Sequence, residues 1–182
     1  MTDTERQEVF LDLLRPHQKA LERFCLHMTR DRESALDLLQ DTLLVAWRYF
    51  DSVRDHAAFK SWVFTICSNT FKRKFTRSRF LGLVDEEVVD ALPSTEPHPD
   101  TMTDNVIIQT ALAKLPPKYR EALVLFELNG LSVDEIRRIQ GGTASAVKLR
   151  LMRGRTMLAK ALGVRKEPEE RPVFDTSSTP LL

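Results

Sequence analysis

The sequence has few of the residues from which enzymes build nucleotide-binding and metal-binding sites. Only six glycines occur among 182 residues, and none forms a GxGxxG motif or a phosphate-binding loop. HExxH, GxSxG and paired Cys/His motifs are missing as well, and the four histidines are scattered. We therefore expect no enzyme, no metal ion and no other cofactor.

Long apolar runs and paired cysteines are also missing. No apolar run approaches the ~20 residues of a membrane-spanning helix, and the charged first ten residues do not resemble a secretory signal. The two cysteines, Cys25 and Cys67, lie in apolar stretches without a CxxC motif. This indicates small core residues rather than a disulfide or a metal pair. The sequence predicts a cytoplasmic protein with no membrane insertion.

Charge is segregated along the chain, although the formal net charge is only +1. A hydrophobic fraction of 42% with 29% charged residues is ordinary for a folded domain. The net charge by segment is −2 for residues 1–50, +5 for 51–80, −7 for 81–104, +6 for 105–163 and −1 for 164–182. This pattern predicts two domains, 1–80 and 105–163, that each end in a basic stretch and flank an acidic spacer.

The spacer, residues 81–104, predicts a flexible linker. It contains seven carboxylates, no basic residue, and the prolines Pro93, Pro97 and Pro99, so charge repulsion and proline both disfavour a packed core. It is either a plain solvated linker or an acidic segment that occupies a basic channel on a partner or shields the basic halves. The polar tail, residues 164–182, is predicted to be disordered.

Residues 7–50 predict helices with one unusual face. An apolar stripe over 7–28 is interrupted by Pro16, and Asp31 can cap a helix over 32–50, whose core face begins with Ala35 and Leu38. The opposite face carries Asp37, Gln40, Asp41, Leu44, Trp47 and Arg48. An apolar anchor ringed by polar groups is typical of a partner surface. The alternative is a solvated face with a half-buried tryptophan.

A helix predicted over 57–79 has a polar side that suits DNA. Short polar and basic side chains, which can hold phosphates and base edges, recur on this side at Ser61, Thr65, Ser68, Asn69, Lys72, Thr76 and Arg79. The inward side carries Phe59, Trp62, Val63, Ile66, Cys67 and Thr70. The bordering phenylalanines Phe64 and Phe71 either stack on unpaired bases or complete the core.

The second half carries a helix-turn-helix pattern. Two helices are expected over 105–129, separated at 115–117. Ser132 to Glu135 has the form of a capping box, and Gly141-Gly142 makes a turn before a helix capped by Thr143. In that helix Val147, Leu151 and Leu158 are expected to point inward, and Lys148, Leu149, Met152 and Arg153 outward. A short helix, a turn and a basic helix together favour insertion into the DNA major groove.

The layout resembles an extracytoplasmic-function (ECF) sigma factor over about residues 8–163. The stretches that carry the resemblance are ESALDLLQDTLLVAWRYF and FKSWVFTICSNTFKR for sigma region 2, and ALAKLPPKYREALVLFELNGLSVDEI with AVKLRLMRGRTML for sigma region 4. The resemblance implies an all-α fold of two small helical domains. It also implies a subunit that directs core RNA polymerase to promoter DNA under the control of an anti-sigma factor.

The resemblance also implies roles for particular residues. The residues implied to bind polymerase are Asp37, Gln40, Asp41, Leu44, Trp47 and Arg48. Those implied to contact the −10 element are Lys60, Ser61, Trp62, Thr65, Ser68, Asn69, Lys72, Arg73 and Thr76. Those implied to contact the −35 element are Thr143, Ser145, Lys148, Leu149, Arg150, Met152, Arg153 and Arg155. A spacer of 24 residues reaches at most about 80 Å, whereas promoter elements about 17 base pairs apart are separated by roughly 58 Å.

The sequence departs from the family pattern in several places. Arg73 and Thr76 stand where an acid and an arginine are common in the family, and Arg137 and Leu149 replace usual residues of the helix-turn-helix motif. Gly154 replaces a common alanine, which should cost the predicted helix after Thr143 up to ~1 kcal/mol. Two alternatives therefore stay open: a helix-turn-helix regulator that acts without polymerase, and a sigma-like decoy that sequesters an anti-sigma factor.

Overall fold

The computed structural model describes residues 2–29, 31–80 and 104–163, and within these ranges the fold is all-α. The α-helices of the first half are α1 (Asp3–Leu14), α2 (Gln18–Met28), α3 (Arg32–Arg48) and α4 (Phe59–Phe80). Those of the second half are α5 (Asp104–Ala113), α6 (Pro117–Leu123), α7 (Val133–Gln140) and α8 (Ala144–Ala161). The predictions of a linker and a disordered tail fall almost entirely on 81–103 and 164–182, which lie outside the described residues.

Local signals set the helix ends of the first half as the sequence predicts. Pro16 lies in a short 3-10 turn, Arg15–His17, that separates α1 from α2. The Asp31 side chain accepts a hydrogen bond of 2.8 Å from the Ser34 amide and so caps α3. The predicted helix over 32–50 ends earlier, at Arg48, and Phe50 turns back into the core from a second 3-10 segment.

The core of the first half is built from the apolar faces of α1 to α4. Phe24 of α2 and Phe64 of α4 are fully buried and meet edge to face, with their ring centroids 5.5 Å apart. Phe64 is therefore a core residue, whereas Phe71 is only partly buried and stacks on Phe75. Cys25 and Cys67 are free and buried, as the sequence predicts.

The second half contains the predicted helix-turn-helix. Ser132 and Glu135 form the reciprocal capping box that starts α7, and Gly141 takes a positive φ of 75° at the end of that helix. The Thr143 hydroxyl accepts the Ala146 amide at the start of α8. The chain thus makes a short helix, a glycine turn and a longer basic helix, in the predicted order.

Gly154 has a packing role that the sequence does not reveal. The residue is buried where α8 packs against α6. A Cβ atom added here would lie 3.0 Å from Leu123 Cγ and 3.4 Å from the Tyr119 carbonyl oxygen. The missing side chain therefore allows the two helices to approach each other closely.

The two halves pack against each other. Helix α2 contacts α5 and α6, and α4 contacts α7, and buried residues from both halves belong to one apolar cluster. Within the described ranges, no helix has the length and apolar character needed to cross a membrane.

Candidate functional site

An apolar groove lies between α1 and α3. It has a volume of about 650 Å³, and its lining residues are Gln7, Phe10, Leu11, Gln40, Leu43, Leu44 and Trp47. The Leu44 side chain is 68% exposed, so an apolar anchor faces solvent beside polar neighbours. The predicted surface lies on α3 alone and does not include Leu11 of α1, because no sequence signal pairs the two helices.

Contacts from α1 hold Trp47 in this groove. The Arg6 guanidinium lies 4.1 Å from the centre of the Trp47 ring and donates a 2.8 Å hydrogen bond to the Trp47 carbonyl oxygen. Arg6 is itself held by Asp51, 2.9 Å away. Phe10 meets the Trp47 ring edge to face, with the ring centroids 5.4 Å apart. These contacts fix the position of the Trp47 ring, and such preorganisation reduces the entropy cost of binding.

Two carboxylates assigned to the polymerase surface are already paired within the chain. Asp37 and Asp41 each lie 2.7 Å from the Lys74 ammonium of α4. Partial burial lowers the pKa of Lys74, but the hydrogen bonds and charges of both carboxylates outweigh it, and the pKa lies above its ordinary value. Gln40 and Arg48 are exposed.

The residues of α4 assigned to the −10 element fall into two groups. Asn69, Lys72, Arg73 and Thr76 are exposed, and a basic groove of about 480 Å³ is lined by Lys72, Arg73, Thr76 and Arg77. The others, Lys60, Ser61, Trp62, Thr65 and Ser68, are partly or fully buried. The exposed group offers charge and hydrogen-bond donors to DNA in this conformation.

Ser68 departs most from its predicted position. The sequence predicts it on an exposed polar side, but it is fully buried and donates a hydrogen bond to the Glu121 carboxylate of α6. Lys72 lies 3.5 Å from the other oxygen of that carboxylate, and Lys60 donates a 2.7 Å hydrogen bond to the Asn129 carbonyl oxygen. The expectation of exposure is wrong for Ser68 because the second half covers it.

The outer face of α8 is open to solvent. Lys148, Leu149, Met152 and Arg153 are all exposed, as predicted. Ser145 is exposed too, while Thr143 uses its hydroxyl as the helix cap. Cationic side chains beside apolar ones at the surface of a recognition helix suit phosphates, guanine edges and thymine methyl groups.

Two arginines of α8 are held within the second half. Arg150 donates to the Gln140 side chain and to the Gly141 carbonyl oxygen, at 3.2 Å and 3.0 Å. Arg155 lies 2.7 Å from Glu127. Both side chains therefore join α8 to other parts of the second half. Their role at the −35 element stays a prediction.

The buried carboxylate of Glu121 is not among the residues that the sequence predicts for the site. Its side chain accepts hydrogen bonds from Ser68 and from Gln140 Nε2, the latter at 2.7 Å. A glutamate in the middle of a short helix normally indicates a solvated position, so no signal in the sequence distinguishes this one.

Both halves of the chain match models of known protein families. The family model "Sigma-70 region 2" matches residues 13–80, and "Sigma-70, region 4" matches residues 105–158. Together they cover most of the chain, and they define a sigma-70-type protein. More particularly, the chain belongs to the family of ECF RNA polymerase sigma factors.

Several individual relatives support this assignment. The chain is 32% identical over 154 residues to the ECF RNA polymerase sigma factor SigM of Mycobacterium tuberculosis, covering 85% of this chain and 77% of SigM. It is 31% identical to SigE of Mycolicibacterium smegmatis, with a match that covers 81% of this chain and 59% of SigE. It is 28% identical to YlaC of Bacillus subtilis, covering 87% of this chain and 94% of YlaC.

Two solved structures are similar in fold. Sigma factor RpoE of Bartonella quintana, in complex with the anti-sigma factor NepR, is 30% identical with a TM-score of 0.69 and covers 91% of this chain and 100% of RpoE. CnrH, in complex with the cytosolic domain of CnrY, is 26% identical with a TM-score of 0.63, covering 86% of this chain and 89% of CnrH.

Proposed function

We propose that the chain binds core RNA polymerase through the groove between α1 and α3 and directs it to promoters. The observation that carries this is the exposed Leu44 beside an ordered Trp47, on the same chain as a helix-turn-helix with an open basic face. A central apolar anchor with a polar rim has hot-spot composition. The chemistry belongs to the polymerase, so the chain supplies no catalytic residue and acts in the cytoplasm beside it.

We infer that the two halves divide promoter recognition. Residues 105–163 form the −35 domain, with Lys148, Leu149, Met152 and Arg153 on the exposed face of α8. Residues 1–80 form the domain for polymerase and the −10 element, with Asn69, Arg73 and Thr76 exposed on α4. Support comes from the family match of each half and from the segregation of basic residues.

We also propose that an anti-sigma factor controls the chain. Both structures described above are complexes: RpoE is bound to the anti-sigma factor NepR, and CnrH is bound to the cytosolic domain of CnrY. The exposed apolar groove between α1 and α3 would suit such an inhibitor as well as it suits polymerase, since both need an apolar anchor. A competition experiment tests this proposal: an anti-sigma factor similar to NepR and core enzyme are expected to exclude each other from this chain.

Run-off transcription tests the proposed function. Purified chain and core RNA polymerase are incubated with a promoter library, and initiation at defined start sites is expected only when both are present. Start sites with two separated common elements would support the division of recognition. No association with core enzyme and no specific start site would rule the proposal out.

Leu44 gives the sharpest test of the docking surface. Leu44→Asp places a charge where an apolar anchor must be desolvated, so we expect core affinity to fall about 30-fold or more, roughly 2 kcal/mol. Leu162→Asp is the matched control, because Leu162 is also an exposed leucine but lies at the end of α8. Surface plasmon resonance with immobilised core enzyme measures both. Equal loss in the two variants would contradict the groove as the docking site.

A further inference from the structure

The side chain of Gln140 joins three helices of the second half. Gln140 is the last residue of α7, and its Nε2 donates to the Glu121 carboxylate of α6 at 2.7 Å and to the Lys118 carbonyl oxygen at 3.0 Å. Its side-chain oxygen accepts a hydrogen bond of 3.2 Å from Arg150 Nη1 of α8. Both ends of the carboxamide are therefore used, and α6, α7 and α8 meet at this side chain.

Arg150 extends these contacts to the turn between α7 and α8. The same Nη1 atom donates to the Gly141 carbonyl oxygen at 3.0 Å, so a cation lies at the C-terminal end of α7, where the helix dipole favours it. The Nη2 atom lies beside the next residue, since a Cβ atom added at Gly142 would be 3.2 Å from it. Gly142 has a positive φ of 91° as well, so glycine serves both the backbone conformation and the room that the guanidinium takes.

These contacts form a turn clamp, made by the side chains of Gln140 and Arg150, that restrains the angle between α7 and α8. The backbone of Gly141 and Gly142 alone restrains this angle weakly, because glycine has the widest conformational freedom of all residues. Arg150 lies in the second turn of α8, which begins at Ala144. A rotation of α8 about the glycine turn would break its hydrogen bonds to Gln140 and Gly141.

The outer face of α8 depends on this angle. Lys148, Leu149, Met152 and Arg153 are exposed on either side of Arg150 in the sequence. Base edges are read only when side chains lie within contact distance of them, whereas phosphate contacts carry no sequence information. A change in the angle of α8 should therefore weaken discrimination between DNA sequences more than it weakens non-specific binding.

We propose that Gln140 and Arg150 are positioning residues that fix the angle at which α8 meets the −35 element. The resemblance implies that Arg150 contacts this element, whereas its guanidinium donates to the turn and to the end of α7. Arg150 then acts on promoter choice through the orientation of its neighbours, and Gln140 is added to the residues that determine it. This inference rests on the proposed function of α8.

Amide hydrogen exchange in the full free chain tests the turn clamp without DNA. Gln140→Leu removes its donor and its acceptor, and Arg150→Lys keeps the charge but loses the planar group that presents N–H donors in fixed directions. In both variants the Gly141 amide, which donates to the Arg137 carbonyl oxygen at 2.8 Å, is expected to exchange about tenfold faster than in the wild type. Arg138→Lys is the matched control, because Arg138 is exposed on the same helix as Gln140.

DNA binding supplies the functional readout. Fluorescence anisotropy compares the affinity for the −35 duplex found by run-off mapping with the affinity for an unrelated duplex. The ratio of the two is expected to fall about tenfold in Gln140→Leu and in Arg150→Lys, with an unchanged salt dependence because both variants keep the net charge. The double variant is expected to lose no more than either single one, since each breaks the same clamp. Direct contact of Arg150 with DNA would make the two losses add.

The outcomes separate the turn clamp from the proposed function. Circular dichroism reports folding, and if Gln140→Leu unfolds, Gln140→Asn takes its place because the shorter side chain does not span Glu121 and Arg150. Unchanged exchange or unchanged discrimination in a folded Gln140 variant, or losses that add in the double variant, would overturn the positioning role. Faster exchange in both variants of a chain whose wild type prefers no duplex would leave the clamp in place and contradict the proposed function, and with it the reading role.

Discussion

The two helices that carry the assigned DNA-contacting residues, α4 and α8, are presented very differently. On α4, Ser68 is buried and Lys60 and Lys72 are bound to groups of the second half. On α8, Lys148 and Met152 face solvent, and Met152 is 57% exposed. In this conformation the assigned face of α8 is open to solvent, whereas the assigned face of α4 is partly covered by the second half.

The difference shows that helix amphipathicity and accessibility are separate properties. Both helices have a polar stripe of suitable composition, and both stripes can be identified from residue spacing. Whether a stripe meets solvent depends on a helix more than 40 residues away in the sequence, as the pairing of Ser68 with Glu121 illustrates. The position of Glu121 in the second half, and not the spacing of polar residues along α4, determines that Ser68 is buried.

The largest effect expected from this comparison is on α8. Lys148→Ala combined with Arg153→Ala removes two exposed cations from the recognition face, so we expect affinity for a −35 duplex to fall about 100-fold, roughly 2.7 kcal/mol. The slope of log affinity against log salt should become shallower by about two, because two fewer counterions are released. Fluorescence anisotropy at several salt concentrations measures both quantities.

A charge-matched variant keeps this result interpretable. Lys19→Ala with Arg23→Ala removes the same charge from exposed positions of α2, and only a small, uniform loss of DNA affinity is expected. If this variant lost as much affinity as the α8 variant, binding would follow net charge alone, and the proposed contrast between the exposed face of α8 and the rest of the surface would fail.

The second prediction concerns α6, which contacts both α4 and α8. Its Glu121 points toward α4, while its Leu123 packs against Gly154 of α8. Gly154→Val would force side-chain atoms into Leu123 and the Tyr119 carbonyl, so we expect a loss of about 2 kcal/mol in the free energy of unfolding. Chemical denaturation followed by circular dichroism gives this value.

Thr156→Val is the control for that substitution. It introduces the same side chain on the same helix at an exposed position, and a change within about 0.5 kcal/mol is expected. A Gly154→Val protein as stable as the control would mean that α6 and α8 can move apart at little cost, and that the close packing at this glycine is not needed.

Local signals predicted the elements well, and distant contacts limited the prediction of the site. The Ser132 and Glu135 box, the Asp31 cap and the break at Pro16 all act within a few residues, so the sequence alone locates them. The pairing of Lys74 with Asp37 and Asp41 and the contact of Leu123 with Gly154 join separate helices. Helical periodicity does not indicate which helix faces pack together, so the sequence contains no signal for these contacts between helices.

The smallest expected effect is a pH dependence at α2, whose last turn receives Arg120 from the second half. Burial, with a smaller contribution from the charge of Arg23, lowers the pKa of His27 below its ordinary value of 6.5. The folded chain therefore binds this proton less readily than the unfolded chain. The contribution to stability is complete above the unfolded pKa and is lost as the pH falls through the lower folded pKa.

We therefore expect the melting temperature of the wild type to fall between about pH 7 and about pH 5 by more than that of His27→Gln, as followed by circular dichroism. His17 has a pKa lowered by burial and by the charge of Lys60, so it should give the wild type and the variant a common residual slope. An identical fall in both proteins would show that protonation of His27 does not contribute to the acid sensitivity.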